Sequence, residues 1–307
     1  MAASTNPLPL PPSQTQFHPD FNKEVVSVVF SVEGEGFRID STRLTMHSEF
    51  LYNMLHNDLD IGISREGTVE KPIVVQGCSK ETFANFMLWL NHNAWNPVVV
   101  RRQEQLLDIL HVSHMWQIRP GFDYAVGQLG EHLVRPAKRL FFAQKYNIAG
   151  WVPEAVLLLL LMPFREYTEE DIRNLSFPGY LVIACAKEEI QEQRRFLAAI
   201  PPYPSDFTAD HAPHCPYHTT CNRVWYDKWA KEIVPRIHHP AVPFPLAQTI
   251  GALEDMNHPG MNPACKRYAI EWMISSCPGL GKEEAIIWKT IETVQTMFDI
   301  TTTTATW

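Results

Sequence analysis

A chain of 307 residues, 45% hydrophobic and 11% aromatic, can bury sizeable cores and has room for two domains. Its formal net charge of −8 gives no footprint for nucleic acid, which requires basic patches able to displace counterions from phosphates. Six irregularly placed cysteines do not make a secreted disulfide scaffold, no secretory signal opens the sequence, and the strongest apolar run, 155–162, is too short to span a bilayer. The expectation is an intracellular chain, cytoplasmic or nuclear, with reduced thiols and no membrane or direct nucleic-acid contact.

Residues 1–19, rich in Pro, Ser, Thr and Gln, read as a disordered lead-in. Val26, Val28, Phe30 and Val32 alternate with Val25, Ser27, Val29 and Ser31, the period of a strand. Glu33-Gly34-Glu35-Gly36 is expected to turn the chain into a hairpin partner at Phe37-Arg38-Ile39. Ser48 is placed to cap a short helix through Leu55, and a polar loop, 57–71, offers either partner contacts or a tolerated insertion. A third strand is expected over 72–76. Ser79 then caps a helix whose Phe83, Phe86, Met87 and Leu90 share one face, and a further helix covers 103–116.

Strand signals fade beyond Arg119. Phe122, Ala125, Val126, Leu129 and Leu133 form a helical stripe, Pro136 starts a helix to Tyr146, and Pro153 starts one carrying 157–161. Thr168, with Asp171 three residues on, nearly matches a capping box at the head of a 169–175 helix, and a longer helix covers 180–197. Residues 121–200 thus read as an antiparallel helical stack. A Pro-rich break at 201–204 opens a last region, 201–300. It holds a Cys/His cluster, a helix from about Asn222 to Val234 ended or kinked at Pro235, and helices over 265–276 and 282–298. Pro278-Gly279-Leu280-Gly281 is expected to separate the last two as a turn, and 301–307 to fray.

The densest run of soft ligands is His211-x2-His214-Cys215-x2-His218-x2-Cys221. Zn²⁺ takes four such groups in a tetrahedron, and thiolates favour structural sites. Cys215, His218 and Cys221 can supply three from one turn leading into a helix. Cys221, Trp225, Trp229 and Ile233 recur at fourfold spacing, and Cys265, Tyr268, Ala269 and Trp272 line one face of a later helix. Two such stripes facing each other would bring in Cys265 as the fourth ligand, with His214, His238 and His239 as alternatives. The competing reading keeps these thiols as small buried hydrophobes, because the spacing matches no standard zinc finger. A disulfide between Cys215 and Cys221 is disfavoured in a reducing compartment, and Cys78, Cys185 and Cys277 stand alone as structural residues.

Several stretches together resemble a BTB/POZ domain over 21–116: the 25–32 strand, Phe37-Arg38-Ile39, Leu44 followed by 46–55, Ile73-Val74-Val75, and the Phe83, Phe86, Leu90 series. Over nearly its full length the chain is similar to the BTB-domain proteins abundant in mushroom-forming fungi, carried by 77–83 and 107–116. The resemblance implies an α+β fold: a BTB/POZ-type domain over 20–120, a small sheet flanked by helices, followed by an all-helical C-terminal region. It implies a protein-binding scaffold or adaptor that self-associates, with a homodimer as the simplest form. Residues Phe17, Phe21, Leu51 and Tyr52 can contribute to that face, or serve in the core and loops.

Some members of the family are substrate adaptors of cullin-type ubiquitin ligases, which makes a cullin an alternative partner. The sequence departs from that pattern at Glu24 and Asp40, where many adaptors carry Asp and His, and at His56-Asn57-Asp58-Leu59, where the cullin-engaging element is not evident. A zinc-dependent hydrolase built on the cluster is the enzymatic alternative. The sequence holds no H-E-x-x-H, P-loop, G-x-G-x-x-G or G-x-S-x-G motif, so the expectation is a non-enzyme whose only indicated cofactor is a structural zinc. Transcriptional regulation is a third reading, weakened by the acidic balance and by the lack of paired finger motifs.

Overall fold

Alternation along the first strand sets the N-terminal architecture. In the computed structural model, which describes residues 27–56, 66–92, 101–133, 135–202, 215–239, 244–276 and 278–300, β1 (Ser27–Val32) turns Val28, Phe30 and Val32 inward. It pairs antiparallel with β2 (Glu35–Asp40), Phe30 opposite Phe37, through a two-residue loop at Glu33-Gly34. Both loop residues have positive φ, 49° and 81°, the twist that suits a tight hairpin. The turn is therefore shorter than the expected Glu33–Gly36, and Glu35 and Gly36 belong to the strand. The third strand shrinks to β3 (Ile73–Val74), parallel to β1, giving a mixed sheet in the order β2-β1-β3.

Between β2 and β3 lie α1 (Ser41–Thr45), which the sequence reading missed, and α2 (Glu49–His56). Asp40 caps α1 by accepting from the Thr42 N–H at 2.9 Å. After β3 come α3 (Lys80–Leu90), capped by Ser79 as expected, α4 (Gln103–Met115) and α5 (Arg119–His132).

Trp116 is the hub of this core. Its ring meets Phe30 at 5.2 Å, Phe83 at 5.3 Å and Phe86 at 6.0 Å, the last two edge-on. Its carbonyl accepts from the buried Ser48 hydroxyl at 2.6 Å, while Ser48 accepts from the Leu51 N–H at 3.1 Å. One serine thus caps α2 and anchors it to the aromatic nest. The Asp108 carboxylate joins α4 to α3 by accepting from Thr82 Oγ1 and Asn85 Nδ2 at 2.9 and 2.7 Å. The expected core residues Phe30, Phe83 and Phe86 are fully buried, and Val26 lies outside the described residues. Leu51 is buried in the same core and so is not on a dimer face, whereas Tyr52 beside it is exposed; Phe17 and Phe21 lie outside the described residues.

Two compact units divide between Leu129 and Gly130, inside α5. The second holds helices and no strand among its described residues: α6 (Pro136–Tyr146), α7 (Val152–Leu161), α8 (Glu169–Ala199), α9 (His218–Lys228), α10 (Val234–Ile237), α11 (Thr249–Asp255), α12 (Pro263–Ser276) and α13 (Pro278–Met297). The fold is thus α+β, with its one described sheet near the N-terminus. No helix of the described residues is long and apolar enough to cross a membrane.

Within this unit α8 is two helices joined at Ser176 (φ 56°), just before Pro178, which accounts for the expected separation into 169–175 and 180–197. Pro235 neither ends nor sharply breaks its helix. The run begins at His218, four residues earlier than expected, and widens to a π-turn at Trp229–Ile233 before continuing as α10. Proline cannot donate to the carbonyl four residues back and crowds it, and the wider turn relieves both. Pro278-Gly279-Leu280-Gly281 is not a turn but the first turn of α13, with Pro at a favoured helix start. A Cβ on Gly279 would sit 3.0 Å from Gln193 Nε2 and 3.1 Å from Leu197 Cδ2, so glycine here permits close packing on α8.

The expected capping box at Thr168 and Asp171 is formed, with Asp171 also held by Arg135 Nε at 3.0 Å and by Nη2. Burial pushes the Asp171 carboxyl up, but the Arg135 guanidinium and the Thr168 backbone and hydroxyl outweigh it and leave its pKa below the ordinary 3.8. A carboxyl depressed in the folded state contributes stability above the unfolded pKa and loses it as pH falls through the folded one. Asp171→Ala is expected to cost roughly 1–3 kcal/mol near neutral pH in denaturant titrations, toward the low end because Arg135 is half-exposed and can be resolvated. The gap between wild type and variant should close below about pH 4; a gap undiminished in strong acid would contradict this assignment.

Candidate metal centre

Two helix starts converge in the second unit. Cys221, Trp225, Trp229 and Ile233 recur every four residues, so their side chains stack along one face, and all four are buried. Trp225 Nε1 donates to the Pro202 carbonyl at 3.1 Å and Trp229 Nε1 to the Leu197 carbonyl at 3.0 Å, fixing α9 against the end of α8. Cys265, Ala269 and Met273 form the matching buried face of α12 in the same apolar cluster. Tyr268 and Trp272, assigned to that face from sequence, are only part-buried; the stripe follows the i, i+4 line through Ala269.

The two faces place their cysteines together. The Sγ atoms of Cys215, Cys221 and Cys265 all lie within 4.8 Å of one another, and Cys215 and Cys221 are 3.6 Å apart. His218 Nδ1 is 3.7 Å from Cys265 Sγ. Three of the four residues expected as ligands, Cys215, Cys221 and Cys265, therefore form one cluster, and His218 stands beside it against Cys265. Of the alternative fourth ligands, His214 lies outside the described residues. His238 follows the far end of the helical run that begins at His218, about 30 Å of helix away at 1.5 Å per residue. Together with His239 it lines a separate cavity of about 430 Å³ that also holds Lys187 and Arg194.

Local geometry prepares the sulfurs for negative charge. His218 and Cys221 occupy the first turn of α9, and Cys215 sits just before it. Asn262 and Pro263 open α12: Asn262 Oδ1 accepts from the Ala264 N–H at 2.8 Å, which sets Cys265 in the first turn. The Asn262 N–H itself donates to Cys221 Sγ at 3.3 Å. The Asn262 N–H and the positive ends of two helix dipoles thus face the cluster.

The thiols do not ionise equally. Burial raises the Cys215 thiol, but the Tyr217 N–H and the Cys221 and Cys265 thiols outweigh it and bring its pKa below the ordinary 9.0. Cys265 moves the other way, pushed far up by burial first and then by its two sulfur neighbours. A first charge on the cluster therefore suppresses the next. A cation among the sulfurs would favour their deprotonation, and three thiolates with one imidazole suit a soft, tetrahedral divalent ion.

Two supporting residues escaped sequence reading. Asn262-Pro263 carries a helix-start signal that was readable. His258 offers none: its ring stacks on Trp225 at 5.7 Å and its Nδ1–H donates to the Met256 carbonyl at 2.9 Å. Burial, followed by Lys266 and Lys228, holds its pKa below the ordinary 6.5 against the pull of that carbonyl. The Met256 carbonyl also accepts from Lys266 Nζ at 2.7 Å, so the segment between α11 and α12 is tied down beside the cluster. Of the cysteines read as structural, Cys78 is part-buried, Cys185 is exposed on α8, and Cys277 lies outside the described residues. No protein-family model matches this sequence, and no curated protein shows significant similarity to it.

Proposed function

We propose that this chain is a non-enzymatic protein-interaction scaffold: a BTB/POZ-like N-terminal unit self-associates, and one structural Zn²⁺ on Cys215, His218, Cys221 and Cys265 locks the helical unit. The observation that carries the metal is the cluster of three sulfurs, with an imidazole nitrogen beside Cys265. In a tetrahedral site with Zn–S near 2.3 Å and Zn–N near 2.05 Å, sulfurs stand about 3.8 Å apart and sulfur and nitrogen about 3.6 Å apart. One edge of each kind matches: Cys215 to Cys221 at 3.6 Å and Cys265 to His218 at 3.7 Å. Packing alone gives no reason for three thiols to gather within 4.8 Å of one another. Four protein donors also leave no position for an activated water, which favours a structural ion over a hydrolytic one.

The interaction reading is supported by element order. Strand, strand, two short helices, strand and two helices, with β1 central between antiparallel β2 and parallel β3, is the arrangement expected of a small sheet flanked by helices. Residues that carry the resemblance, Phe83, Phe86 and Trp116, build its core. Met46, Phe50 and Tyr52 are exposed around α1 and α2, apolar surface suited to a second copy of the unit.

Purified protein is expected to carry one zinc per chain by elemental analysis, lost in Cys221→Ser and Cys265→Ser. Chelation is expected to lower the melting temperature on the order of 10 °C, because metal binding and folding share free energy. A metal-free chain that melts identically with and without chelator would retire the site. Light scattering on the intact chain should give the mass of a dimer; a monomer at every concentration would retire self-association.

A further inference from the structure

The four donors are unequally protected. Cys221 is 2% exposed and Cys265 fully buried, each on a helix within the apolar cluster. Cys215 is only part-buried and sits on the non-helical segment before α9. Of the three cysteines, Cys215 is therefore the residue with the greatest exposure and the one outside a helix. The Cys221 Sγ stands 3.6 Å from its sulfur, six residues along the chain.

We propose that Cys215 is a redox modification site: a hydroperoxide oxidises it, it closes a disulfide on Cys221, and the metal ion leaves. The proposal rests on the zinc reading above. Zn²⁺ has no accessible redox state, so both electrons come from sulfur. The Cys215 thiolate attacks the peroxide, the O–O bond breaks, and Cys215 becomes a sulfenic acid as hydroxide leaves and takes a proton. The Cys221 thiolate then attacks that sulfur and expels a second hydroxide, which is protonated to water. In sum, two thiolates, one hydrogen peroxide and two protons give one disulfide and two waters.

Geometry selects the pair. A disulfide needs sulfurs about 2.05 Å apart, so the Cys215 segment has to close roughly 1.5 Å. Cys265 is the poorer partner because it is set in the first turn of α12 and stands against His218. Once Cys215 and Cys221 are joined, only Cys265 and His218 remain as donors, too few for a structural zinc. The covalent event thereby removes the tie between the starts of α9 and α12.

The test uses full-length protein whose zinc content is measured first, with Cys185→Ser to silence the exposed thiol outside the cluster. Hydrogen peroxide is added with a chromogenic zinc chelator, against a chelator-only control. The expected result is release of one equivalent of zinc per chain beyond the control. Peptide mapping should show a disulfide between Cys215 and Cys221, and thiol reductant with added Zn²⁺ should reverse both changes. A chain that holds zinc and keeps it under peroxide, or yields a Cys221–Cys265 disulfide or a Cys215 sulfinic acid, overturns the modification site and leaves the zinc reading standing. A chain with no zinc before peroxide overturns both.

Discussion

Three sulfurs within one small volume are an electrostatic problem that a divalent cation solves. Each thiolate placed beside another loses solvation and gains repulsion, and Cys265 carries most of that burden through its raised pKa. A metal ion inverts the sign of every one of these interactions. The arrangement around it is consistent with that role: two helix starts aim their positive ends inward, and the Asn262 N–H points at Cys221 Sγ.

What the ion would join explains why it matters to the fold. Cys215, His218 and Cys221 belong to the start of α9, while Cys265 comes from α12. From that junction the Trp225 and Trp229 rings run along α9 to carbonyls at and beyond the end of α8, and His258 stacks on Trp225 from the segment between α11 and α12. The apolar cluster here is built largely of tryptophan, leucine, isoleucine and methionine, most of it contributed by short helices. Short helices gain little from their own hydrogen bonds and depend on packing for stability. A metal tie at the head of two of them would fix their register at little chain length.

Legibility followed periodicity. The Cys221-to-Ile233 stripe and the start of the Cys265 face were visible because helical side chains four apart share a face, and this was enough to bring the distant Cys265 to the local Cys215 and His218. The capping box at Thr168 and the serine caps at Ser48 and Ser79 were visible because their chemistry is local. Features that depend on a neighbour in space were not. Gly279 looked like a helix breaker, but it is the contact that lets α13 approach α8. Pro235 looked like an end or a kink, and a π-turn absorbed it. His258 carries no signal of its own, because its stacking on Trp225 arises only once the segment is folded. Helix α1 was too short to show a period, and its one cue was the Asp40 cap.

The N-terminal unit shows the same logic with aromatics in place of sulfur. Trp116 gathers Phe30, Phe83 and Phe86, and its carbonyl holds Ser48, so a helix cap and the core share one residue. The central claim nonetheless rests on the metal centre, and X-ray absorption at the zinc edge of the intact protein tests it most directly. The expected spectrum has three sulfur donors at about 2.3 Å and one imidazole nitrogen. A first shell dominated by oxygen, or one with fewer than three sulfurs, would contradict it.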